Sequence, residues 1–309
     1  MITVVGESLI DVVRRTDGSA SEHLGGSPFN VAVGLARQGA EVALATRVGP
    51  DARGQALLDH AKAEGVTLLG EPAGLPRTST ATATLDPEGV ASYEFDLEWD
   101  LPALPVPPGT SALHTGSLGL TIEPGASVVL AAMREARREV VVSYDPNARP
   151  GLTPDVPALV RRVEEAASLS HVVKASEEDF AFLYPDQDFR AAAARWLRGT
   201  GTHLVVVTRG GDGAWAATRS VSVDLPAQPT EVVDTVGAGD AFEAGLLDAL
   251  RRAGLLTIAR IGQLDALDEA ALLDLVRQAA TVGSLTCERA GANPPTRAEV
   301  EARLRAQSA

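Results

Sequence analysis

The 309-residue sequence holds a single cysteine, Cys287. An intrachain disulfide and a cluster of thiolate metal ligands are therefore excluded, and the thiol reads as a buried or inert one. The five histidines show no metal-ligand spacing. Of these, His114 stands near a strand end, where it either packs or touches substrate. No stretch approaches the roughly 18 uninterrupted apolar residues of a membrane helix. The opening "MITVVGESLID" lacks a basic leader before an apolar run, so a cytoplasmic location is expected. Basic residues are outnumbered, 27 against 41, for a net charge of −14. Such a field repels nucleic acid and anionic membrane, so neither is an expected partner. A small anionic ligand would need a local positive pocket or a bound cation. The first strand pattern runs into "GESLID" and not into G-x-G-x-x-G, which argues against a dinucleotide-dependent dehydrogenase.

Hydrophobic residues make up 45% of the chain and charged residues 22%, enough to bury a substantial core. The length allows one large domain or two small ones, and no boundary or internal repeat is visible. Strand patterns at 2–6, 41–49, 140–145, 171–176 and 203–210 alternate with helical ones at 29–39, 51–65, 125–138, 155–168 and 188–198. This rhythm predicts an α/β fold with a parallel sheet covered on both faces. From about 240 onward the pattern is mostly helical, over 240–254, 269–287 and 296–306.

Two stretches break the rhythm. "STATATLDPEGVASYEF" (79–95) alternates, turns at Asp-Pro-Glu-Gly and alternates again, which predicts a hairpin or meander. "VVRRTDGSASEHLGG" (12–26) adds a strand or loop beside it. A small β-element of this kind is a flap over a site, an interface or an edge cover. "LPALPVPPGT" (101–110), with four prolines, reads as a stiff connection.

The chemistry concentrates at "DTVGAGDAF" (234–242). After the strand-like "VSVDL" (221–225) and "EVVD" (231–234), the chain turns at Gly237, Ala238 and Gly239 and enters a helix. Small residues let backbone N–H groups face a bound group, and the helix start adds unpaired donors and partial positive charge. Together they suit a phosphate or a developing oxyanion. Asp240, on the first helical turn, either stabilises the helix dipole or accepts a proton from an attacking hydroxyl. Asp234 either orients the turn or contributes to a cation site. Two further stretches join it. "GESLID" sets Asp11 just past the first strand, near the carboxyl end of the sheet, where open parallel sheets bind ligands. "GGSPFNVAVGLARQG" (25–39) is a turn at Gly25 and Gly26 opening a helix with Asn30 on its first turn. Asp11 and Asn30 pair an acceptor with a donor, as a neutral polyol requires, or else serve as cap and turn residues.

With these three stretches together, the chain resembles the ribokinase-like (PfkB) carbohydrate kinases, nearly end to end. "GGSPFNVAVGLARQG" is similar to the family's N-terminal signature and "DTVGAGDAF" to its C-terminal one. The resemblance implies a single kinase domain over 1–309, with a three-layer αβα fold and a β-lid at about 12–24 and 79–96. It implies an ATP-dependent phosphotransferase using Mg²⁺ and a candidate K⁺ site. Asp240 is then the catalytic base, with the anion hole at Gly237, Ala238 and Gly239. Asp11, Gly25, Gly26, Asn30 and Arg149 take the sugar. Ser176, Thr208, Gly210, Gly213, Gly237 and Gly239 take ATP. Asp179 stands where the family has the Glu of an Asn-x-x-Glu motif linked to Mg²⁺, directly or through water. The segment here reads Ser176-Glu177-Glu178-Asp179, a shorter acid with the Asn replaced. Asp234 and Thr235 match a monovalent-cation site, and lids of this kind can pair two subunits into a homodimer.

"YDPNARP" (144–150) and "TGSLGL" (115–120) look most like fructokinases and 2-keto-3-deoxygluconate kinases. Arg149 reaches a phosphate or sugar-acid carboxylate, or else forms a structural ion pair. The Gly-Gly-Ser-Pro-Phe stretch has no basic residue, which disfavours a phosphorylated acceptor. Phe29 narrows the sugar pocket or packs in the core. "RGGDGA" (209–214) makes a hairpin turn near the nucleotide. Fructose is the expected acceptor. A non-catalytic sugar or nucleotide sensor is the rival of a different class, and the presence of Asp240 argues against it.

Overall fold

The computed structural model of the chain describes residues 1–86, 91–103, 106–153, 155–199 and 201–307. In chain order, β1 (Ile2–Val5) precedes an antiparallel pair, β2 (Leu9–Arg14) and β3 (Ala20–Gly25). Next come α1 (Ser27–Arg37), β4 (Val42–Ala45), α2 (Ala52–Ala63) and β5 (Thr67–Leu68). A second antiparallel pair follows, β6 (Thr80–Leu85) and β7 (Ala91–Asp96). The chain then runs through β8 (Ala112–Gly116), α3 (Gly125–Ala136), β9 (Val141–Asp145), α4 (Val156–Leu169), β10 (Val172–Ser176), α5 (Glu177–Leu183), α6 (Phe189–Arg198) and β11 (Leu204–Thr208). The strands β12 (Ala214–Ala217) and β13 (Ser222–Leu225) lead to α7 (Ala238–Arg252), α8 (Glu269–Cys287) and α9 (Arg297–Gln307).

Nine strands form the main sheet in the order β13-β12-β11-β10-β9-β8-β1-β4-β5. The seven from β11 to β5 are parallel, and β12 and β13 add an antiparallel edge. Strands such as "ITVV", "VALA" and "VVSYD" are buried along their whole length, as a sheet covered on both faces requires. Successive side chains point to opposite faces. Val4, Val172 and Val206 join a core with Leu35 of α1, Leu246 of α7 and Val276 of α8. Their neighbours Val5, Val173 and Val205 join a second core with Met133 of α3, Val163 of α4 and Trp196 of α6. The result is the expected three-layer α/β arrangement.

Two expectations need correction. "EVVD" forms no strand. Among the described residues no strand pairs with it, and its Val233 and Asp234 N–H groups both turn to the Cys287 carbonyl instead. Val232 and Val233 are left 62% and 64% exposed. Asp11, expected just past the first strand of the main sheet, instead lies within β2 of a separate four-stranded sheet ordered β3-β2-β6-β7. That sheet coincides with the two stretches that broke the βα rhythm, and its centre is a parallel pairing of β2 with β6. Of the Asp-Pro-Glu-Gly turn (86–89), residues 87–89 lie outside the described residues, as does residue 90.

The relation between α1 and α7 depends on one small residue. A Cβ added to Gly34 would lie 2.7 Å from the Ala244 Cβ. The two helices run side by side in the same sense, because Ser27 and Asn30, seven and four residues earlier on α1, meet Asp240, four residues earlier on α7. Gly34→Ala is expected to force the helices apart and to cost about 1–3 kcal/mol of stability as an overpacked core does. Thermal unfolding would register the loss as a lowered midpoint, and an unchanged midpoint would contradict the close approach.

Candidate active site

The N-terminus of α7 is set by Gly237, whose φ of 73° is left-handed. A Cβ there would be 2.6 Å from the Ala292 Cβ, so both the conformation and the space demand glycine. The helical ladder opens with the Ala241 N–H on the Gly237 carbonyl, 2.8 Å away. The N–H groups of Gly239 and Asp240 belong to the first turn, where the ladder leaves donors unused. Asp234 braces the approach. Its two carboxylate oxygens accept from Val236 N (3.0 Å) and Gly291 N (2.8 Å), which is the turn-orienting role.

Asp240 is buried on that first turn. Its Oδ1 accepts from the Ser27 hydroxyl at 2.6 Å and its Oδ2 from the Asn30 amide at 2.8 Å. Both donors come from the first turn of α1, which Gly26 opens at φ 104°. A Cβ on Gly26 would press 2.6 Å from the Glu7 carbonyl oxygen. Two helix N-termini therefore converge on one carboxylate. Asn30 was expected at a sugar, and the structure brings its amide to Asp240.

Asp11 lies beside this pair. Burial pushes its carboxyl up to about 6, opposed by the Arg149 guanidinium and reinforced by the Asp240 charge. Gly25 packs so closely that its Cβ would sit 2.1 Å from Asp11 Oδ2. Glu7 is also buried there. Burial lifts its carboxyl to about 7 against backbone donors, including Gly119 N at 2.9 Å, and the Ser117 hydroxyl. Arg149 is exposed, and its Nη1 donates to the Asn147 side chain and to the Asn147 and Ala148 carbonyls.

A cavity of about 730 Å³ opens alongside. Arg149, Ser176, Asp179, Thr208, Gly210, Gly213, Thr235, Ala238 and Gly239 line it, together with Val232, Phe242 and Cys287. Ser176 and Thr208 are the last residues of β10 and β11, at the carboxyl ends of parallel strands where such sheets hold ligands. The "RGGDGA" turn joins β11 to β12 antiparallel, with Arg209 N bonded to the Gly213 carbonyl. Gly237, Asp240, Asp11, Gly25, Gly26 and Asn30 are outside the cavity lining, so the expected residues divide into two adjoining groups.

Asp179 is buried in a capping box. Its Oδ2 accepts from Ser176 N and Oγ at 2.8 and 2.7 Å, and its Oδ1 from Ala148 N at 2.7 Å. Among the described residues, no group of three or more His, Cys, Asp or Glu side chains could chelate a metal. His114 is a core residue, with Nδ1 3.3 Å from both Ser143 Oγ and Glu243 Oε1. Phe29 is 2% exposed, 6.0 Å from the His60 ring, and belongs to the core. Cys287 is half-buried on the cavity wall, where burial, then Asp234 and Glu288, hold its thiol up and unreactive.

Sequence reasoning missed Ser27 and Lys174. Ser27 was legible as one turn before Asn30 on the same helix face. Lys174 was legible as a lone charge inside the apolar strand "VVKAS". The arrangement around Asp11 is checked by following its carboxyl resonance with pH. A midpoint near 6 is expected, moving down in Asp240→Asn and up in Arg149→Met. A midpoint near 4 in all three would refute the burial.

Residues 1–299 match the pfkB family of carbohydrate kinases. A fructokinase of Rhizobium leguminosarum bv. trifolii is 36% identical over 279 residues, 86% of this chain and 84% of its own. The crystal structure of Xylella fastidiosa fructokinase with bound ATP superposes with a TM-score of 0.87 at 27% identity, covering 100% of this chain and 99% of that one. The fructokinase of Vibrio cholerae O395, solved with fructose, ADP and calcium ion, superposes at 0.80 and 29% identity, covering 97% of each chain. With signatures at both ends and a match across nearly its whole length, the chain belongs to the pfkB family of carbohydrate kinases.

Proposed function

We propose that the protein is an ATP-dependent fructokinase in which Asp240 is the catalytic base. The observation that carries this is the Asp240 carboxylate, oriented by Ser27 and Asn30 and set one residue beyond the small-residue turn at a helix N-terminus. In the reaction, the bond between the γ-phosphorus and the β–γ bridging oxygen of ATP breaks. The sugar hydroxyl oxygen bonds to that phosphorus, and its proton passes to Asp240, leaving a sugar phosphate and ADP. Ser27 and Asn30 point the carboxylate at the hydroxyl. Gly237 makes the turn and the Thr235 carbonyl holds the Ala238 N–H, so the first-turn N–H groups of Gly239 and Asp240 meet the charge of the transferring group.

ATP takes the 730 Å³ cavity, with its phosphates toward Gly239 and its base against Val232, Ala280 and Cys287. Ser176, Thr208, Gly210 and Gly213 flank it. Glu178 and Asp179 also face the cavity. Magnesium that arrives on nucleotide phosphates takes only one or two protein carboxylates, the rest of its shell being water and phosphate. These two acids fit that need, Asp179 acting through water because its oxygens are engaged. The ion would neutralise phosphate charge. Asp234 oxygens each accept one N–H and keep a further lone pair for a monovalent cation beside Thr235.

The sugar lies against Asp11, Gly25, Gly26 and Arg149. Glu7 and Asp11 both face the Arg149 charge and Asp240 adds to the negative field at Asp11, so a neutral sugar is favoured over the carboxylate of 2-keto-3-deoxygluconate. The small sheet, which carries Asp11, is the lid that excludes water. Its edge strand β7 leaves Tyr93 66% exposed and stacked on Phe95, which supports pairing with a second copy. No helix among the described residues is long and apolar enough to cross a membrane, and dependence on ATP supports a cytoplasmic site of action.

ADP release with ATP and Mg²⁺ should be measured across free sugars and sugar acids. Turnover is expected with fructose, and Asp240→Asn should lose on the order of 10²–10⁴-fold in kcat. Turnover with sugar acids alone would move the acceptor to 2-keto-3-deoxygluconate, and nucleotide binding without turnover of any sugar would favour a sensor. Asp11→Asn should raise KM for fructose about tenfold or more at little cost to KM for ATP, as loss of one charged hydrogen bond predicts. In the parent protein, kcat/KM for fructose should fall as pH drops below about 6, where Asp11 becomes protonated and can no longer accept two hydrogen bonds.

A further inference from the structure

Of the 27 basic residues in the chain, only Lys62 and Lys174 are lysines. Lys62 is exposed on α2, whereas Lys174 is 3% exposed within β10. A buried ammonium is strongly unfavourable unless it is paired and hydrogen-bonded. Its Nζ lies 2.7 Å from Asp145 Oδ2, at the end of the neighbouring strand β9. It also donates, at 3.1 Å, to the carbonyl oxygen of Gly239 on the first turn of α7. Burial works against the charge, but Asp145 and Glu243 outweigh it and keep Lys174 protonated.

The Gly239 carbonyl belongs to the same peptide as the Asp240 N–H. Across a planar trans peptide these two groups point in opposite directions. In a helix the carbonyl points along the chain and the N–H back toward the N-terminus. The ammonium therefore sits behind the peptide, and the N–H faces the anion side. A cation on the carbonyl draws electron density through the amide and makes its N–H a stronger donor, as linked hydrogen bonds polarise one another. A compact ammonium can meet one carboxylate and one carbonyl at once. A planar guanidinium would need a wider, forked arrangement. That difference accounts for a lysine here in a chain that has only one other, the exposed Lys62.

We infer that Lys174 is a positioning residue for phosphoryl transfer: anchored by Asp145, it holds and polarises the Gly239–Asp240 peptide so that the Asp240 N–H meets charge developing on the transferring group. The inference rests on the kinase reading above.

The test compares Lys174→Met with the parent protein, using the sugar that the parent turns over fastest. Because Lys174→Met strands the buried Asp145 charge, Asp145→Asn/Lys174→Met is made as well and compared with Asp145→Asn. Removing an oxyanion donor outright costs about 10²–10³ in kcat, so loss of its polarisation should cost on the order of ten- to a hundredfold. KM for the sugar and Kd for MgADP should stay within about threefold, since the contact matters in the transition state alone. Addition of aluminium fluoride, a mimic of the transferring phosphoryl group, should tighten MgADP binding in the parent and in Asp145→Asn, and much less where Lys174 is replaced. Unchanged kcat, or equal weakening of MgADP with and without aluminium fluoride, would overturn the inference. So would failure of both lysine variants to fold, which would assign Lys174 to structure alone. A parent protein that turned over no sugar would instead defeat the kinase reading.

Discussion

Two helix starts meeting at one carboxylate is the constraint on which the site depends. Each N-terminus carries unpaired N–H groups and about half a positive charge, so an acid between them is favoured and held. Asp240 accepts one hydrogen bond from each of two α1 side chains while belonging to α7. That requires the helices to lie in contact over more than one turn, and the Gly34–Ala244 approach permits it. Both helices pack into the same core on one face of the sheet, which sets their height relative to the strand ends.

The charge distribution follows from the same geometry. A protein of net charge −14 has to assemble positive potential locally if it is to take an anion. Here it comes from backbone dipoles and from one buried ammonium, with few exposed basic side chains involved. Lys174 lies among Asp145, Glu243 and Asp240. Glu243, with no exposed surface, accepts from the Ser143 hydroxyl at 2.6 Å and lies against His114. Burial raises its carboxyl, but the His114 contact and Lys174 outweigh burial and hold it low. This buried ionic layer sits directly beneath the first turn of α7. Beside it, burial raises the carboxyls of Glu7 and Asp11, and the Arg149 guanidinium opposes the shift in both, joined at Asp11 by His23. Anion-binding backbone on one side and an acid-rich pocket on the other suit a phosphate donor and an uncharged acceptor.

Much of this was legible in the sequence, for stated reasons. Strands buried on both faces leave continuous apolar runs, so "VVSYD" and "LVVVT" were readable without partners. The Gly237 turn was readable because only glycine tolerates its backbone there. "EVVD" misled because two valines look strand-like wherever they occur, whereas a strand exists only if another strand is within reach. Asp11 misled because one short loop, Gly6 to Ser8, separates two strands that belong to different sheets. Asp179 stands at a Mg²⁺-linked position by resemblance alone, and its bonds to Ser176 and Ala148 are contacts that the resemblance did not carry.

The sequence by itself determined the αβ layering, the glycine turn ahead of α7 and the acid on that helix's first turn. These are local properties: periodicity, backbone sterics and position relative to a helix start. Only the tertiary structure decided that Ser27 and Asn30 orient Asp240, that Lys174 reaches the Gly239 carbonyl, and that Cys287 faces the cavity. The partners in the first of these contacts are 213 and 210 residues apart, and in the second 65. No local pattern encodes such a distance. It is settled when the buried strands align and the helices pack across them, because close-packed interiors allow few alternative arrangements.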